Sequence, residues 1–395
     1  MCRASSDHGR RREALLMTWC PENDGYFEEV RAMKIVSVET ALLETPLITP
    51  FKTAVRQVDA MADVLVRITD SDGRRGWGSA PPTGKVTGDT VGAILGAVDE
   101  HLRPALLGRD GEDLNDCLDA VDNALVGNTS AKAALDIALH DLWAKTLGQP
   151  VWKLLGGAGG DIETDVTVSV NPPEEMARDA VRAVKRGFKC LKTKVGVGAD
   201  IDFARLKAIR DAVGSELKIR IDANQGWEPA EAVRVLNRMA DAGLDIELVE
   251  QPVKARDLKG LAYVTANSPI PVVADEACWS PEQALNILAS GAANSVNIKL
   301  MKCGGLRQAR RITAVAESLG AHVMIGSMLE GKVSCAAAVH LTSACRCVNA
   351  VDLDGPALCS VDPVTGGPQF DGPVIHPGSG AGFGVADVPG VKWKA

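Results

Sequence analysis

The sequence predicts an α/β fold, in which a closed (β/α)8-type parallel barrel follows an N-terminal α+β capping domain that the C-terminal tail completes. Three observations support this prediction. After Gly159 the chain alternates strictly between short β-branched runs and helical stretches, with eight runs in all. Lysines or carboxylates stand at the ends of successive runs, as active-site residues do in such barrels. No G-x-G-x-x-G motif follows a strand and opens a helix, which disfavours an open dinucleotide-binding sheet.

The capping domain is predicted over residues 33–159. The runs KIVSVETALLETPL and VLVRITDSDGRRGWGSA alternate in polarity like antiparallel strands, and Asp72-Gly73 supplies a hairpin turn. Helical spacing follows in TVGAILGAVDEHLRPALLG and in SAKAALDIALHDLWAKTLGQPVWKLLGG. Strands followed by helices indicate an α+β domain.

The barrel is predicted over residues 160–355. Its strand candidates, in order, are ETDVTVSV, CLKTKV, LKIRID, IELVE, VVADE, SVNIKL, AHVMIG and CVNAVDLD. The helices between them end where a glycine can take the left-handed C′ conformation, at Gly187, Gly214, Gly243, Gly291 and Gly320. Ser280-Pro281-Glu282-Gln283 is typical of a capped helix start.

Two segments lie outside these domains. Residues 1–32 are polar and contain three consecutive arginines before a short apolar run, so we expect a disordered leader. Residues 356–395 are rich in Gly and Pro, and we expect them to return to the capping domain.

Bulk composition excludes several classes of partner. The 395 residues carry a net charge of −8 and a pI near 5.4, which argues against nucleic acid or an anionic membrane as a main partner. No run approaches the roughly 20 apolar residues that a membrane span needs. The ten cysteines are scattered without CxxC or zinc spacing, which favours reduced thiols in the cytoplasm. We also expect a homo-oligomer.

Lys192 and Lys194 lie two residues apart at the end of the second barrel strand, so both side chains are predicted to point into the barrel. Two ammonium groups held this close repel, and each lowers the pKa of the other. Exclusion from water lowers both pKa values further, which would make a lysine a usable base near neutral pH. The alternative is a pair of exposed lysines at a strand end.

Asp222, Glu250 and Asp275 end the next three strands, at intervals of 25 to 28 residues. Three carboxylates converging at a barrel mouth repel unless a cation neutralises them, and an all-oxygen set selects a hard ion such as Mg²⁺. No histidine stands at a strand end, which argues against a zinc site. Arg220 and Asn224 flank Asp222 on the same face and are predicted to support it. The alternative is a set of solvated loop carboxylates.

Lys299 ends the sixth strand, which lies across an eight-stranded barrel from the second. Lys194 and Lys299 are therefore predicted to face each other across the mouth, with the α-carbon of a metal-bound substrate carboxylate between them. One lysine could remove the α-proton while the other returns a proton to the opposite face, and the metal would stabilise the enediolate that forms. The arrangement predicts 1,1-proton transfer and hence epimerisation.

Asp352 and Asp354 end the eighth strand, opposite the fourth. They are not needed for the metal, so they would suit a cationic group of the substrate. Two extended residues span at most about 7 Å, so a dipeptide could reach from a metal-bound carboxylate to an ammonium group held by this pair. The alternative is a solvated acidic turn before Gly355-Pro356.

With these residues in place, the chain resembles the enolase superfamily, muconate-lactonizing subgroup, and within it the dipeptide epimerases. The resemblance covers roughly residues 33–390 and implies a lysine base with Mg²⁺, a mechanism known for this superfamily. The matching pieces are Lys192-Thr193-Lys194, the acids Asp222, Glu250 and Asp275, the segment NIKLMKCGG with Lys299, and DLD with Asp352 and Asp354.

The resemblance also implies substrate contacts from the cap. PFKTAVR and APPTGKVTGDT are similar to two capping-domain loops that close over the substrate, and Arg56 in the first is expected to meet an acidic substrate side chain. Ser327 is a further candidate for substrate binding, and Glu276 joins Asn224 as a candidate partner of the metal ligands. The chain departs from the family at Ser79, where relatives often carry an acidic residue.

Two other functions fit part of the pattern. A muconate-type cycloisomerase or an o-succinylbenzoate synthase would share the lysines and the three metal-ligand acids, but neither has a substrate ammonium group to explain Asp352 and Asp354. A barrel kept as a non-catalytic binding or structural protein would tolerate the loss of any base, whereas all three lysines and all three acids are present.

Overall fold

The computed structural model describes residues 33–52 and 57–395. The predicted leader over residues 1–32 and the candidate substrate residue Arg56 lie outside this part of the chain. The cap begins with an antiparallel sheet of three strands, and Asp72-Gly73 forms the predicted hairpin turn between the second and third. These strands are β1 (Ile35–Lys52), β2 (Gln57–Asp70) and β3 (Arg75–Ala80).

Helices follow the sheet, and one of them lies directly against its third strand. A Cβ atom at Gly76 would lie 2.1 Å from the carbonyl oxygen of Ala138, and one at Gly78 would lie 1.9 Å from that of Ala134. Only glycine permits this approach of strand and helix backbones. The cap helices are α1 (Val91–Ala97), a π-helical turn (Val98–Leu102), α2 (Arg103–Leu106), α3 (Leu114–Ala124), α4 (Thr129–Thr146) and α5 (Val151–Leu154).

Eight parallel strands form the predicted barrel, and neighbouring strands pair in chain order. Hydrogen bonds join the first strand region to the last, from Asp165 N–H to Val351 O at 3.2 Å and from Leu353 N–H to Thr164 Oγ1 at 2.9 Å, so the sheet is nearly closed. A short strand, β4 (Ile162–Glu163), precedes them. The barrel strands are β5 (Val166–Val168), β6 (Cys190–Lys194), β7 (Lys218–Asp222), β8 (Ile246–Glu250), β9 (Val272–Ala274), β10 (Ser295–Ile298), β11 (His322–Gly326) and β12 (Val348–Asp352).

The barrel helices end as the sequence predicts. Each of the five predicted stop glycines has a positive φ, between 65° and 93°. The predicted cap at Ser280 also forms, since its side chain accepts a hydrogen bond from Gln283 N–H. None of the described helices is both long and apolar enough to cross a bilayer. The helices are α6 (Pro173–Lys185), α7 (Ala199–Val213), α8 (Pro229–Asp241), α9 (Leu258–Asn267), α10 (Pro281–Ala289), α11 (Leu300–Cys303), α12 (Leu306–Ser318), α13 (Lys332–Thr342) and α14 (Gly355–Leu358).

The C-terminal tail returns to the cap, as predicted. Thr40 of β1 and Lys394 exchange two backbone hydrogen bonds of 2.9 and 2.8 Å, and Val151 N–H donates to Gly382 O at 3.0 Å. The division of the chain at residues 33, 160 and 356 stays a prediction. The tail strands are β13 (Thr365–Gly366), β14 (Gln369–Asp371), β15 (Val374–His376) and β16 (Val385–Asp387).

Strand register brings the candidate site residues together at one end of the barrel. Lys194 on β6 pairs with Asp222 on β7, and Asp222 pairs with Glu250 on β8. Residues paired across parallel strands point to the same side of the sheet. The three side chains therefore stand next to one another at the C-terminal rim.

Candidate active site

Lys192 is buried among carboxylates at the barrel mouth. Its Nζ lies 2.6 Å from Asp352 Oδ2, 2.5 Å from Glu250 Oε2 and 3.4 Å from Asp222 Oδ2. Burial alone would lower the pKa of Lys192, but these three negative charges raise it well above the usual range. The prediction that paired lysines lower this pKa is therefore wrong for Lys192, because nearby acids outweigh the neighbouring ammonium group.

Lys194 and Lys299, predicted to face each other, each bind a different acid. Lys194 Nζ donates to Asp222 Oδ2 at 2.6 Å, and Lys299 Nζ donates to Asp275 Oδ2 at 2.7 Å. Burial opposes the charge of Lys299, but Asp275 and Glu250 raise its pKa above the usual lysine value. Both lysines line the same cavity, from strands on opposite sides of the barrel.

The three candidate metal ligands are almost completely buried, at 0 to 1% exposure. Burial raises the pKa of Glu250, and the charge of Asp222 raises it further. Burial also opposes ionisation of Asp275, yet Lys299 and Lys302 hold its pKa below the usual range. Direct contact with two ammonium groups therefore favours the ionised form of Asp275, whereas burial and the charge of Asp222 disfavour the ionised form of Glu250.

These contacts determine how the site could accept a metal ion. Among residues 33–52 and 57–395, no group of three or more acidic, histidine or cysteine side chains is arranged to hold one, because lysine ammonium groups stand between the acids. The donor chemistry nevertheless fits a hard cation, since the set offers only oxygens. Asn224 Oδ1 and Glu276 Oε2, beside the acids, are also buried without a hydrogen-bond partner in the described part of the chain.

Asn224 and Glu276 lie where the sequence predicts, and Arg220 does not. Asn224 N–H donates to Asp222 Oδ1 at 2.9 Å, and its Nδ2 approaches Glu276 Oε1 at 3.4 Å. Burial, then Asp275 and Asp222, raises the pKa of Glu276 to about 7. Arg220 instead pairs with Asp165 and Glu247, because two residues along β7 place its side chain one layer deeper in the barrel.

The strand-eight acids are both buried, but they have different partners. Asp352 is bound by Lys192, and that charge holds the pKa of Asp352 at about 2 in spite of burial. Asp354 Oδ2 accepts a hydrogen bond from Thr167 N–H at 2.7 Å, and burial together with Asp352 raises the pKa of Asp354 to about 6. Ser327 Oγ donates to Asp352 O at 3.3 Å. Of the predicted pair, Asp354 is thus the acid without a lysine partner in the described residues.

Three supporting residues escaped the sequence analysis. Lys302 is buried and donates to Asp275 Oδ1 at 2.6 Å and to Asn297 O at 3.0 Å. Asn297 Nδ2 donates to Glu250 Oε1 at 2.8 Å, and Gln251 Oε1 accepts from Asp275 N–H at 2.9 Å. The signal for Asn297 was its position in β10, two residues before Lys299. No comparable periodicity pointed to Lys302, which lies on α11.

A cavity of about 100 Å³ lies over these residues. From the cap it is lined by Phe51 at the end of β1 and by Lys85 and Val86 of the segment APPTGKVTGDT. On the barrel side it is lined by Thr167, Lys194, Asn224, Gln225, Glu276, Lys299, Ser327, Met328, Leu329, Asp352 and Asp354. The cavity brings together two lysines on opposite sides and an acid at the strand-eight end.

Comparison with known families matches both parts of the chain. The mandelate racemase / muconate lactonizing enzyme N-terminal domain matches residues 35–156. The enolase C-terminal domain-like family matches residues 175–387, more than half of the chain.

Individual relatives cover nearly the whole chain. An L-Ala-D/L-Glu epimerase of Clostridium acetobutylicum is 50% identical over 90% of this chain and 99% of its own. The substrate-liganded L-Ala-D/L-Glu epimerase of Bacillus subtilis has a TM-score of 0.88 at 45% identity, covering 91% of this chain and 100% of its own. A dipeptide epimerase of Enterococcus faecalis, complexed with Mg and L-Leu-L-Tyr, has a TM-score of 0.87 at 38% identity, covering 90% and 100%. The resemblance seen in the motifs is confirmed, and the chain belongs to the enolase superfamily, in its mandelate racemase and muconate lactonizing enzyme family.

Proposed function

We propose that this protein is a Mg²⁺-dependent isomerase that epimerises a dipeptide at the α-carbon of its C-terminal residue. The observation that carries the proposal is the pair Lys194 and Lys299, which line one cavity from opposite strands above three buried carboxylates. Two bases on opposite faces of one carbon are what inversion by proton transfer requires. The relatives named above, which are epimerases by name and cover the full barrel and cap, support the same activity.

Asp222, Glu250 and Asp275 are the residues we assign to Mg²⁺. When bound, the ion supplies positive charge that stabilises the anion left when the α-proton departs. The negative charge of Asp275 keeps the pKa of Lys299 high as long as only ammonium groups balance that charge. A divalent ion held by Asp275 would take up part of that negative charge and would so lower the pKa of Lys299 toward that of a usable base.

Lys194 and Lys299 exchange roles with the direction of the reaction. The neutral lysine takes the α-proton from one face, and the other, as an ammonium group, donates a proton to the opposite face. Lys192 remains an ammonium group throughout, because three acids surround it. Its charge lies beside Glu250 and Asp352, where it holds both acids in place.

Asp354 is the residue we assign to the substrate ammonium group, with Ser327 and Asp352 beside it. Asp352 already binds Lys192, so Asp354 is the acid that can accept a new cation. The side chain of the C-terminal residue would extend toward the cap, where Lys85 lines the cavity. L-Ala-L-Glu is therefore the first dipeptide to test, since Lys85 is cationic and the Clostridium acetobutylicum relative carries the name L-Ala-D/L-Glu epimerase.

Isotope exchange tests the proposal directly. The protein is incubated in D₂O with Mg²⁺ and a panel containing L-Ala-L-Glu, L-Leu-L-Tyr and a muconate, and mass and chirality are followed. We expect one deuterium at one α-carbon of a free dipeptide, together with its epimer, and loss of both signals after chelation. Cyclisation of the muconate without deuteration of any dipeptide would establish the cycloisomerase alternative instead.

A homo-oligomeric state, a cytoplasmic location and the absence of nucleic-acid or membrane partners belong to the same proposal. The cytoplasmic location rests on the scattered cysteines, and the absence of nucleic-acid or membrane partners rests on the acidic composition, with a net charge of −8. Sedimentation of the purified chain would measure the oligomeric state.

A further inference from the structure

A second cavity, of about 440 Å³, lies outside the active site, where cap strands β2 and β3 meet the start of α13. We call it the seam cavity. Asp63 and Ser79 line it from the cap, and Gly331 and Lys332 line it from the barrel. It therefore lies at the contact between the two parts of the fold.

The Asp63 side chain accepts a hydrogen bond across this contact. The side chain is 2% exposed, and its Oδ2 accepts from Gly331 N–H at 2.9 Å. Its Oδ1 is buried without a hydrogen-bond partner in the described part of the chain, and so is Ser79 Oγ on the adjacent strand. A Cβ atom at residue 331 would lie 2.5 Å from Asp63 Oδ2, so any other residue here would displace the Asp63 carboxyl.

Gly331 ends a loop that also reaches the active site. The loop follows β11, and its first three residues, Ser327, Met328 and Leu329, line the active-site cavity. Glu330 stiffens it from within, because Glu330 Oε1 accepts from Met328 N–H at 2.7 Å. The Asp63 carboxyl of the cap thus holds the C-terminal end of the loop that forms a wall of the active-site cavity.

The ionisation state of Asp63 depends on its burial and on the charged groups around it. Burial and the neighbouring Glu330 carboxyl together raise the pKa of Asp63 to about 8, against the opposing effect of the hydrogen bond from Gly331 N–H. Cys335 and Cys359 are thiols with raised pKa values, and Lys332 is neutralised by Asp362 at 2.6 Å. Arg186 is the other charged residue lining the seam cavity. Asp63 is therefore largely a neutral carboxyl at pH 7.

We propose that Asp63 is a positioning residue through which the cap holds the loop Ser327–Gly331 in the shape that binds substrate, and that ionisation of Asp63 beside Glu330 weakens this hold. The proposal rests on the proposed function, because it takes Ser327 to Leu329 as a wall of the dipeptide site. It predicts an effect on substrate binding that originates outside the active-site cavity.

Steady-state kinetics of the Mg²⁺-loaded enzyme with its best dipeptide, from pH 6 to 9.5, test the proposal. Asp63→Ala removes the acceptor for Gly331 N–H, so we expect KM to rise about three- to tenfold with kcat within about twofold. Asp63→Asn keeps an acceptor oxygen and cannot ionise, so its KM at pH 7 should equal that of wild type.

The alkaline range separates positioning from a purely structural role. The substrate's α-amino group also titrates near pH 8, so the readout is the ratio of KM values between wild type and Asp63→Asn. We expect wild type to exceed the variant by about threefold or more at pH 9.5, where Asp63 is ionised.

Asp70→Asn is the matched control, since Asp70 is equally buried on the same strand but holds the β2–β3 turn through Asp72 and Arg74. It should leave KM unchanged at every pH. An unchanged KM in folded Asp63→Ala, or an equal alkaline rise in wild type and Asp63→Asn, would overturn the proposal. If Asp63→Ala does not fold, the Asp63→Asn profile decides alone. Inactive wild-type protein would instead contradict the proposed function.

Discussion

The two ends of the barrel both bury charged residues, but they combine them differently. At the mouth, Lys194 and Lys299 each bind an acid that we assign to the metal, and unpartnered oxygens lie nearby. At the opposite end, Arg220 binds Asp165 at 2.9 Å and Glu247 at 2.6 Å. Arg220 also donates to Val351 O at 3.2 Å, beside the hydrogen bonds that nearly close the sheet.

The two clusters have different roles because their cations differ in chemistry. A guanidinium group stays charged and binds planar acids with two donors, so Arg220 can tie strands together but cannot act as a base. A lysine can lose its proton when the charges around it change. The lysines at the mouth can therefore change partners. The cluster of Arg220, Asp165 and Glu247 at the opposite end, which we call the lower cluster, keeps its ion pairs. Substitutions at the mouth should lower the activity, and substitutions in the lower cluster should lower the free energy of unfolding.

The largest effect is expected for the metal ligands. Asp275→Asn removes a negative charge from the Mg²⁺ set, and turnover should fall about 10³-fold or more. The far-UV circular dichroism should be unchanged, and calorimetry should show weakened Mg²⁺ binding. Full activity of wild type after exhaustive chelation would contradict the metal assignment.

The next effect separates the two bases. Lys299→Ala should block epimerisation by about 10²- to 10⁴-fold, while Lys194 still exchanges the α-proton of one epimer with solvent. Lys194→Ala should show the reverse pattern. Deuterium incorporation into each epimer, followed by mass, measures both variants. Equal residual exchange of both epimers in both variants would contradict the two-base arrangement.

A smaller effect is expected at Asp354. Losing a charge-assisted contact of about 1.5–3 kcal/mol lowers kcat/KM by roughly 10- to 150-fold in Asp354→Asn. Because the pKa of Asp354 is raised to about 6, wild-type kcat/KM should fall as the pH drops through 6 and the carboxyl becomes neutral. The variant should lack this inflection.

N-acetylated substrate supplies the control for Asp354. Removing the substrate ammonium group should cost wild type a factor similar to that of the substitution but cost the variant little. If wild type processes the N-acetylated dipeptide as well as the free one, the assignment of Asp354 to the ammonium group is wrong.

Sequence reasoning located the lysines and acids because of two regular features. Consecutive parallel strands present their C-terminal ends at one rim, and alternate residues share a face. These rules put Lys194, Asp222 and Glu250 in the correct register without any knowledge of contacts. The barrel and the return of the tail followed from the same periodicity and from the composition of the segments.

The same rules failed where depth or distant contacts matter. The alternation of side chains along a strand predicts the face of the sheet on which a residue lies, but not its depth in the barrel. Arg220 was therefore expected beside Asp222, whereas its side chain lies deeper in the barrel. The spacing of Lys192 and Lys194 reveals the neighbouring lysine but not the acids from β7, β8 and β12 that surround Lys192. Ser79, where relatives often carry an acidic residue, did not indicate that a buried acid, Asp63, lies on the adjacent strand. Both residues line the seam cavity. Such contacts join residues far apart in sequence, so no periodicity of the sequence predicts them.

The smallest effect on turnover, and the largest on stability, is expected for Arg220. Arg220→Met keeps an unbranched apolar stem but leaves Asp165 buried without its cation, which typically costs about 3–5 kcal/mol of unfolding free energy. Denaturant unfolding measures this loss, and kcat/KM of the folded fraction should stay within about fivefold, since no atom of Arg220 lines the active-site cavity. Arg238→Met, which breaks an exposed pair with Asp200, is the matched control and should cost at most about 1 kcal/mol. A stable but inactive Arg220→Met protein would show that the lower cluster takes part in the chemistry, and the contrast between the two ends of the barrel would not hold.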